Sequence, residues 1–168
     1  MDPVYGMRLL DESEEDMERA LSLAGDVEII RNDALTAVEA AETIAPTVRR
    51  PRKAYDMGER EVSLGSLREG ELLFRQAKKR ASEIIEWWEK AESVLLEATR
   101  ALDGKEGAGV KHLRDLLADA QTNLDNERPK EAFEFASVIP QQLEADGDAL
   151  DRAATALEEA QRLSLIHI

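Results

Sequence analysis

Apolar residues return every three or four positions along most of this 168-residue chain. No stretch rich in Val, Ile, Thr and aromatics alternates with period two, so the pattern is that of helices alone. Met17, Leu21, Ala24, Val27, Ile30, Ala34, Ala37, Ala41 and Ile44 fall on one helical face. Ser13 followed by Asp16 approximates a capping box, which predicts a first helix over 13–45 and a tail over 1–12. Pro46 ends it, because the residue before a proline is pushed out of helical geometry. Residues 46–65 hold two prolines, two glycines and no sustained period, and are expected to form a basic, irregular linker.

A bundle of three further helices is expected over 66–163. Its first member, 66–102, opens on a full capping box, Ser66 with Glu69. Leu67, Phe74, Ala77, Ala81, Ile84, Trp88, Ala91, Leu95, Ala98 and Leu102 then alternate by four and three, with Gly70 in the one gap, which is a coiled-coil seam. At 1.5 Å per residue such a helix spans roughly 54 Å. Glu71 with Arg75 and Glu86 with Lys90 stand in the favourable order for ion pairs along it. The glycine-rich segment DGKEGAG stops it. A shorter helix over 109–125 carries Val110, Leu113, Leu117, Ala120 and Leu124 on its seam. After NERP, Pro129 is placed to open the last helix, 129–163. Its seam (Ala132, Ala136, Ile139, Leu143, Asp146, Leu150, Ala153, Leu157, Ala160), with Asp146 the one polar intruder, keeps register through Pro140 and Gly147, so one continuous helix, bent at these breakers, is expected.

Two resemblances bear on the C-terminal part. The segment LLADAQTNLDNERPKEAFEFASVI resembles a tetratricopeptide-type helical hairpin over residues 113–139, through the Glu-Ala pair opening the second helix and the small residue four positions on. The aromatic and glycine positions of that motif's first helix are absent. The resemblance implies a protein-binding scaffold without catalysis. AVEAAETI at 37–44 echoes AFEFASVI at 132–139 through Ala, Glu, Ala and Ile at shared offsets. At the end of the chain, SLIHI leaves the seam, with Ser164 and His167 on the next seam positions. It resembles translated read-through of a sequencing adapter, so residues 164–168 are expected to be foreign and the native protein to continue beyond residue 163.

Composition refines this picture. Seven aromatics and 35% charged residues suit long, alanine-rich helices. The net charge of −14 is unevenly spread: −9 over residues 1–45, +5 over 46–82 and −10 over 83–168. A basic middle between acidic ends is expected to be neutralised mainly within the chain. The alternative is a binding surface for an acidic partner, nucleic acid included, built from Arg49, Arg50, Arg52, Lys53, Lys78, Lys79 and Arg80. No aromatic-interleaved surface supports nucleic-acid reading, and the overall acidity opposes it. Trp88 lies on the seam. Trp87 lies about 100° away and is expected either under a second neighbouring helix or, as an aromatic anchor, in a partner contact.

Catalytic chemistry finds few candidates. There is no cysteine, and the two histidines build neither a Ser–His–Asp arrangement nor a Glu-x-x-His di-iron pair, since Gly109 precedes His112 by three. GKEGAG lacks phosphate-loop spacing. DGDALD at 146–151 opens like a calcium loop, but Leu157 stands where the bidentate Glu belongs. The chain is therefore expected to be an all-α, elongated antiparallel helical bundle or hairpin array. Its expected role is that of a non-enzymatic, cytoplasmic scaffold with protein partners, without cofactor or membrane span and with room for self-association.

Overall fold

A computed structural model describes residues 3–166, apart from the side chain of Leu150. The described residues form an all-α fold of five helices: α1 (Pro3–Ile44), α2 (Arg50–Ser63), α3 (Leu67–Leu102), α4 (Ala108–Asp125) and α5 (Pro129–Ile166). They divide into two compact units, up to Glu86 and from Trp87 onward. α3 supplies its first half to one unit and its second half to the other.

In the first unit, α2 runs back along α1. Arg52 reaches Glu42, and Arg31 reaches Glu59, so rising numbers on one helix meet falling numbers on the other. α3 then returns beside both, with Lys78 on Asp33 of α1 and Phe74 on Tyr55 of α2. The core is built from Val27, Ile30, Ala34, Val38, Ala41, Ala45, Val48, Ala54, Phe74, Ala77, Ala81 and Ile84. Many of these are alanines, which bring helix axes close together at little side-chain entropy cost.

Two expectations about this unit are corrected. Residues 46–65 are not an irregular linker but carry the 14-residue helix α2. Pro51 sits in its first turn, where proline costs no hydrogen bond. Gly58 is no breaker either. It is buried, and a β-carbon there would lie 2.7 Å from Cε1 of Phe74. Gly70 answers it on α3, where a β-carbon would meet Val62 Cγ2 at 2.5 Å and the Gly58 carbonyl oxygen at 3.3 Å. Both glycines mark the close crossing of α2 over α3. α2 ends in a Schellman motif: Gly65, at φ 85°, and Ser66 donate to the carbonyls of Val62 and Glu61 at 3.0 and 2.9 Å.

The second correction concerns the amino-terminal tail expected over 1–12. α1 already begins at Pro3, and Ser13 lies inside it. Pro3 is suited to a first helical position, and no breaker stands between it and Ser13 strong enough to override helix propagation. The α1 seam packs only from Val27 onward. Met17 and Leu21, expected on it, are exposed.

The second unit repeats the up-down-up arrangement with the end of α3, α4 and α5. Ala98, Leu102, Leu113 and Ile139 form its core, with Val110, Leu116, Leu117 and Leu143 packed at the margin. Every expected α3 seam residue from Phe74 to Leu102 is buried. The α3–α4 turn is held by Arg114, whose Nη2 donates to the carbonyls of Leu102 and Lys105, both at 2.9 Å. The α4–α5 turn is a second Schellman motif, but with Glu127 in the left-handed position at φ 60°. Glu127 and Arg128 donate to the carbonyls of Leu124 and Asn123 at 2.9 and 2.8 Å.

α5 is one helix through Pro140 and Gly147, and Ile139 is its last fully buried residue. Beyond the half-buried Leu143, the seam residues Ala153, Leu157 and Ala160 are exposed. Leu163, Leu165 and Ile166 are exposed as well, and His167 and Ile168 lie outside the described residues.

Candidate functional site

The side chains singled out by charge fall into different environments. Arg52 lies between α1 and α2. Its Nε and Nη2 donate to the two Glu42 carboxylate oxygens, each at 2.8 Å, and its guanidinium stands 5.7 Å from the Tyr55 ring centre. The hydrogen bond to Arg52 holds the Glu42 carboxyl below its ordinary range, and the same bond raises the Arg52 pKa. Toward the other end of α2, Arg31 donates from Nη2 to Glu59 at 2.9 Å, and from Nε to its other oxygen. Hydrogen bonds donated to Tyr55 and Glu59 favour the charged form of Arg31. The Tyr55 hydroxyl is itself pushed up, first by burial and then by its bond to Glu59. These polar links fasten α2 to α1.

Lys78 is spent on Asp33 at 3.2 Å, and Arg75 on Glu71 of its own helix at 2.8 Å. Arg49 uses Nη1 on the carbonyls of Pro46 and Val48, at 2.9 and 3.0 Å. Arg50 opens α2 and is half-buried, as is Arg80 on α3, whereas Lys53 and Lys79 are exposed. The basic middle is thus partly neutralised by acids of α1, at Arg52 and Lys78. The structure gathers Arg49, Arg52 and Lys53 around a shallow depression on the outer side of α2, completed by Asp56, Met57 and Arg60. Lys78, Lys79 and Arg80 do not line it. Arg60 and Met57 escaped sequence reading because the segment looked irregular. Read as a helix, Arg49, Lys53, Met57, Arg60 and Leu64 form one stripe by steps of four and three.

Trp87 is half-buried in the second unit. Its ring packs against Phe133 of α5, with centres 5.4 Å apart and planes tilted by 52°. The ammonium of Lys90 lies over the ring at 4.6 Å rather than on Glu86, and that of Lys130 lies at 6.0 Å. The neighbouring helix therefore takes up most of this side chain, as one of the two readings expected. Two cations over its π-face further stabilise the contact.

A different apolar feature emerges on the α4–α5 hairpin. Leu116, Phe135 and Val138, with Glu134, line an open groove of about 370 Å³. Phe135 and Val138 remain 40% and 36% exposed, whereas Ala132, Ala136 and Ile139 on the inward face of α5 are fully buried. The hairpin therefore has two apolar faces, one packed and one open. Asp119 stands one helical turn from Leu116, and Glu131 one turn from Glu134 and Phe135, so the open face has an acidic border.

Among the described residues there is no group of three or more His, Asp or Glu placed to hold a metal ion, and no helix long and apolar enough to cross a membrane. No protein-family model, curated protein or solved structure matches the chain.

Proposed function

We propose that this chain is a non-enzymatic helical scaffold that works by docking protein partners. The observation that carries this reading is the open apolar face of the α4–α5 hairpin, where Phe135 and Val138 stay exposed beside the half-buried Leu116. Clustered apolar exposure beside polar rims is the usual mark of an interaction site. A groove between two helices suits an amphipathic partner helix that lays anchors spaced by three and four into it. The likeness of residues 113–139 to a tetratricopeptide hairpin supports the same role. The acidic border from Asp119, Glu131 and Glu134 favours a partner with basic residues beside its apolar stripe.

A displayed library of amphipathic helical peptides tests this reading. Sequences with Lys or Arg flanking an apolar stripe should be enriched, and the double variant Phe135→Asp, Val138→Asp should bind them at least tenfold more weakly with an unchanged helical spectrum. Enrichment of peptides that bind wild type and double variant equally, or no enrichment at all, would overturn it.

A further inference from the structure

The exposed stripe at the start of α1 is acidic at its borders, and the outer face of α2 sets exposed apolar residues among basic ones, so the two complement one another in charge. We propose that the α1 arm of one copy docks on the α2 face of a second copy, so that this chain associates with itself. This inference is independent of the α4–α5 groove.

The arm is the part of α1 ahead of the packed seam. Met7, Leu10, Met17 and Leu21 continue that seam backward by steps of three, seven and four, with Glu14 in the gap, and all four are more than 60% exposed. Asp11, Glu15 and Glu18 flank the stripe, and Glu14 interrupts it. Arg19 engages Glu15 and Asp16, at 3.4 and 3.7 Å. Glu14 and Glu18 make no ion pair among the described residues.

The α2 stripe is its counterpart. Lys53, Met57 and Arg60 lie along an exposed face of α2 that the capping residue Leu64 extends, Met57 at 48% and Leu64 at 72% exposure. Lys53 and Arg60 make no ion pair among the described residues. The arm stripe runs over 7–21 and the α2 stripe over 53–64, which at 1.5 Å per residue is about 21 Å against about 17 Å. Methionine suits such a contact because its flexible, polarisable side chain adapts to an imperfect partner. Opposite charges beside the two apolar stripes favour this pairing over arm against arm, where carboxylates would face carboxylates.

An arm cannot reach α2 of its own copy. Arg31 of α1 meets Glu59 near the end of α2, and Glu42 meets Arg52 near its start. Glu18 lies thirteen residues before Arg31 on the same uninterrupted helix, roughly 20 Å further along the axis and beyond the end of α2. A second molecule is needed to bring the two stripes together.

Sedimentation and light scattering of the complete chain test this assignment through a charge exchange. One variant carries Lys53→Glu and Arg60→Glu; the other carries Glu14→Lys and Glu18→Lys. All four positions are on the surface, and circular dichroism checks that each variant folds. Wild type should self-associate with concentration and dissociate in high salt. Each variant alone should associate at least tenfold more weakly. An equimolar mixture of the two should recover association, because acidic arms then meet basic α2 faces and basic arms meet acidic ones. A wild type that stays monomeric up to about 1 mM, the weak limit of specific binding, overturns the proposal. So does a mixture that fails to recover association. Binding of a single-stranded oligonucleotide that the Lys53→Glu, Arg60→Glu variant loses, with self-association unaffected, would assign the α2 face to nucleic acid instead.

Discussion

Replacing Gly58 by alanine sets two known effects against each other at one atom. In a helix interior alanine is favoured over glycine by about 1 kcal/mol. Gly25, in α1 with nothing within 4 Å of its hypothetical β-carbon, should show that gain undiminished. At Gly58 the new methyl would stand 2.7 and 2.8 Å from Cε1 and Cδ1 of Phe74. That ring is fully buried and packs on Tyr55 at a centre distance of 5.3 Å, so it has no room to swing aside. Overpacking a close-packed core costs about 1–3 kcal/mol, which equals or exceeds the propensity gain. Gly58→Ala should therefore be neutral to destabilising by about 2 kcal/mol, and lie 1–3 kcal/mol below Gly25→Ala. Urea unfolding followed by circular dichroism measures both, with equal m-values as the check that compactness is unchanged. The double variant with Phe74→Leu should lose most of the penalty, since the clashing ring atoms are gone. If Gly58→Ala stabilises the chain as much as Gly25→Ala does, the close crossing of α2 over α3 is wrong.

Three further outcomes follow from particular contacts. Trp88→Ala should cost on the order of 3–5 kcal/mol, as expected for a buried large aromatic, and Trp87→Ala distinctly less, because Trp87 is only half-buried; equal shifts in thermal melting would contradict the placement of the α3 seam. Glu127→Gly should stabilise the second unit by up to about 1 kcal/mol, because a side chain in the left-handed position of the α4–α5 turn is strained and glycine is not; a destabilised variant would mean that the Glu127 side chain contributes more than its backbone strain costs. The Arg52–Glu42 pair depresses the carboxylate pKa, so its stabilising contribution is present above the ordinary value of 4.5 and is lost as pH falls through the lowered value; stability curves of wild type and Glu42→Gln should thus differ at neutral pH and converge in acid, and a constant gap down to the acid limit would show that the charge on Glu42 is irrelevant.

Spacing alone determined the helical class and the face that α3 turns inward. A stripe repeated by three and four must be covered somewhere, and on α3 both packed units cover it. The α3–α4 and α4–α5 turns were equally legible, because glycine-rich DGKEGAG and the NERP segment leave few helical alternatives. The strong prolines and glycines of 46–65 misled for a reason that tertiary structure supplies in part. Pro51 falls in a first turn, where it is harmless, and Gly58 is glycine because the Phe74 ring occupies the space of a side chain. The first-turn role of Pro51 is a local signal like that of Pro129, whereas the contact of Gly58 with Phe74 joins two helices, so no window of sequence contains it.

The same limit explains the functional surfaces. Sequence named Arg49, Arg52 and Lys53 as a basic group but could not show that Glu42 occupies Arg52 or that Arg60 and Met57 complete the face. It likewise gave Phe135 and Val138 no special weight, since they lie off the seam that periodicity picks out. Hydrophobic pattern states which residues seek cover; only the packed helices decide which of them find it. On α1 the cover begins at Val27 and on α5 it ends with Ile139 and the half-buried Leu143, although the apolar stripes run on in both. The reason is physical: a stripe is a property of one helix, whereas burial depends on how far its neighbours extend beside it.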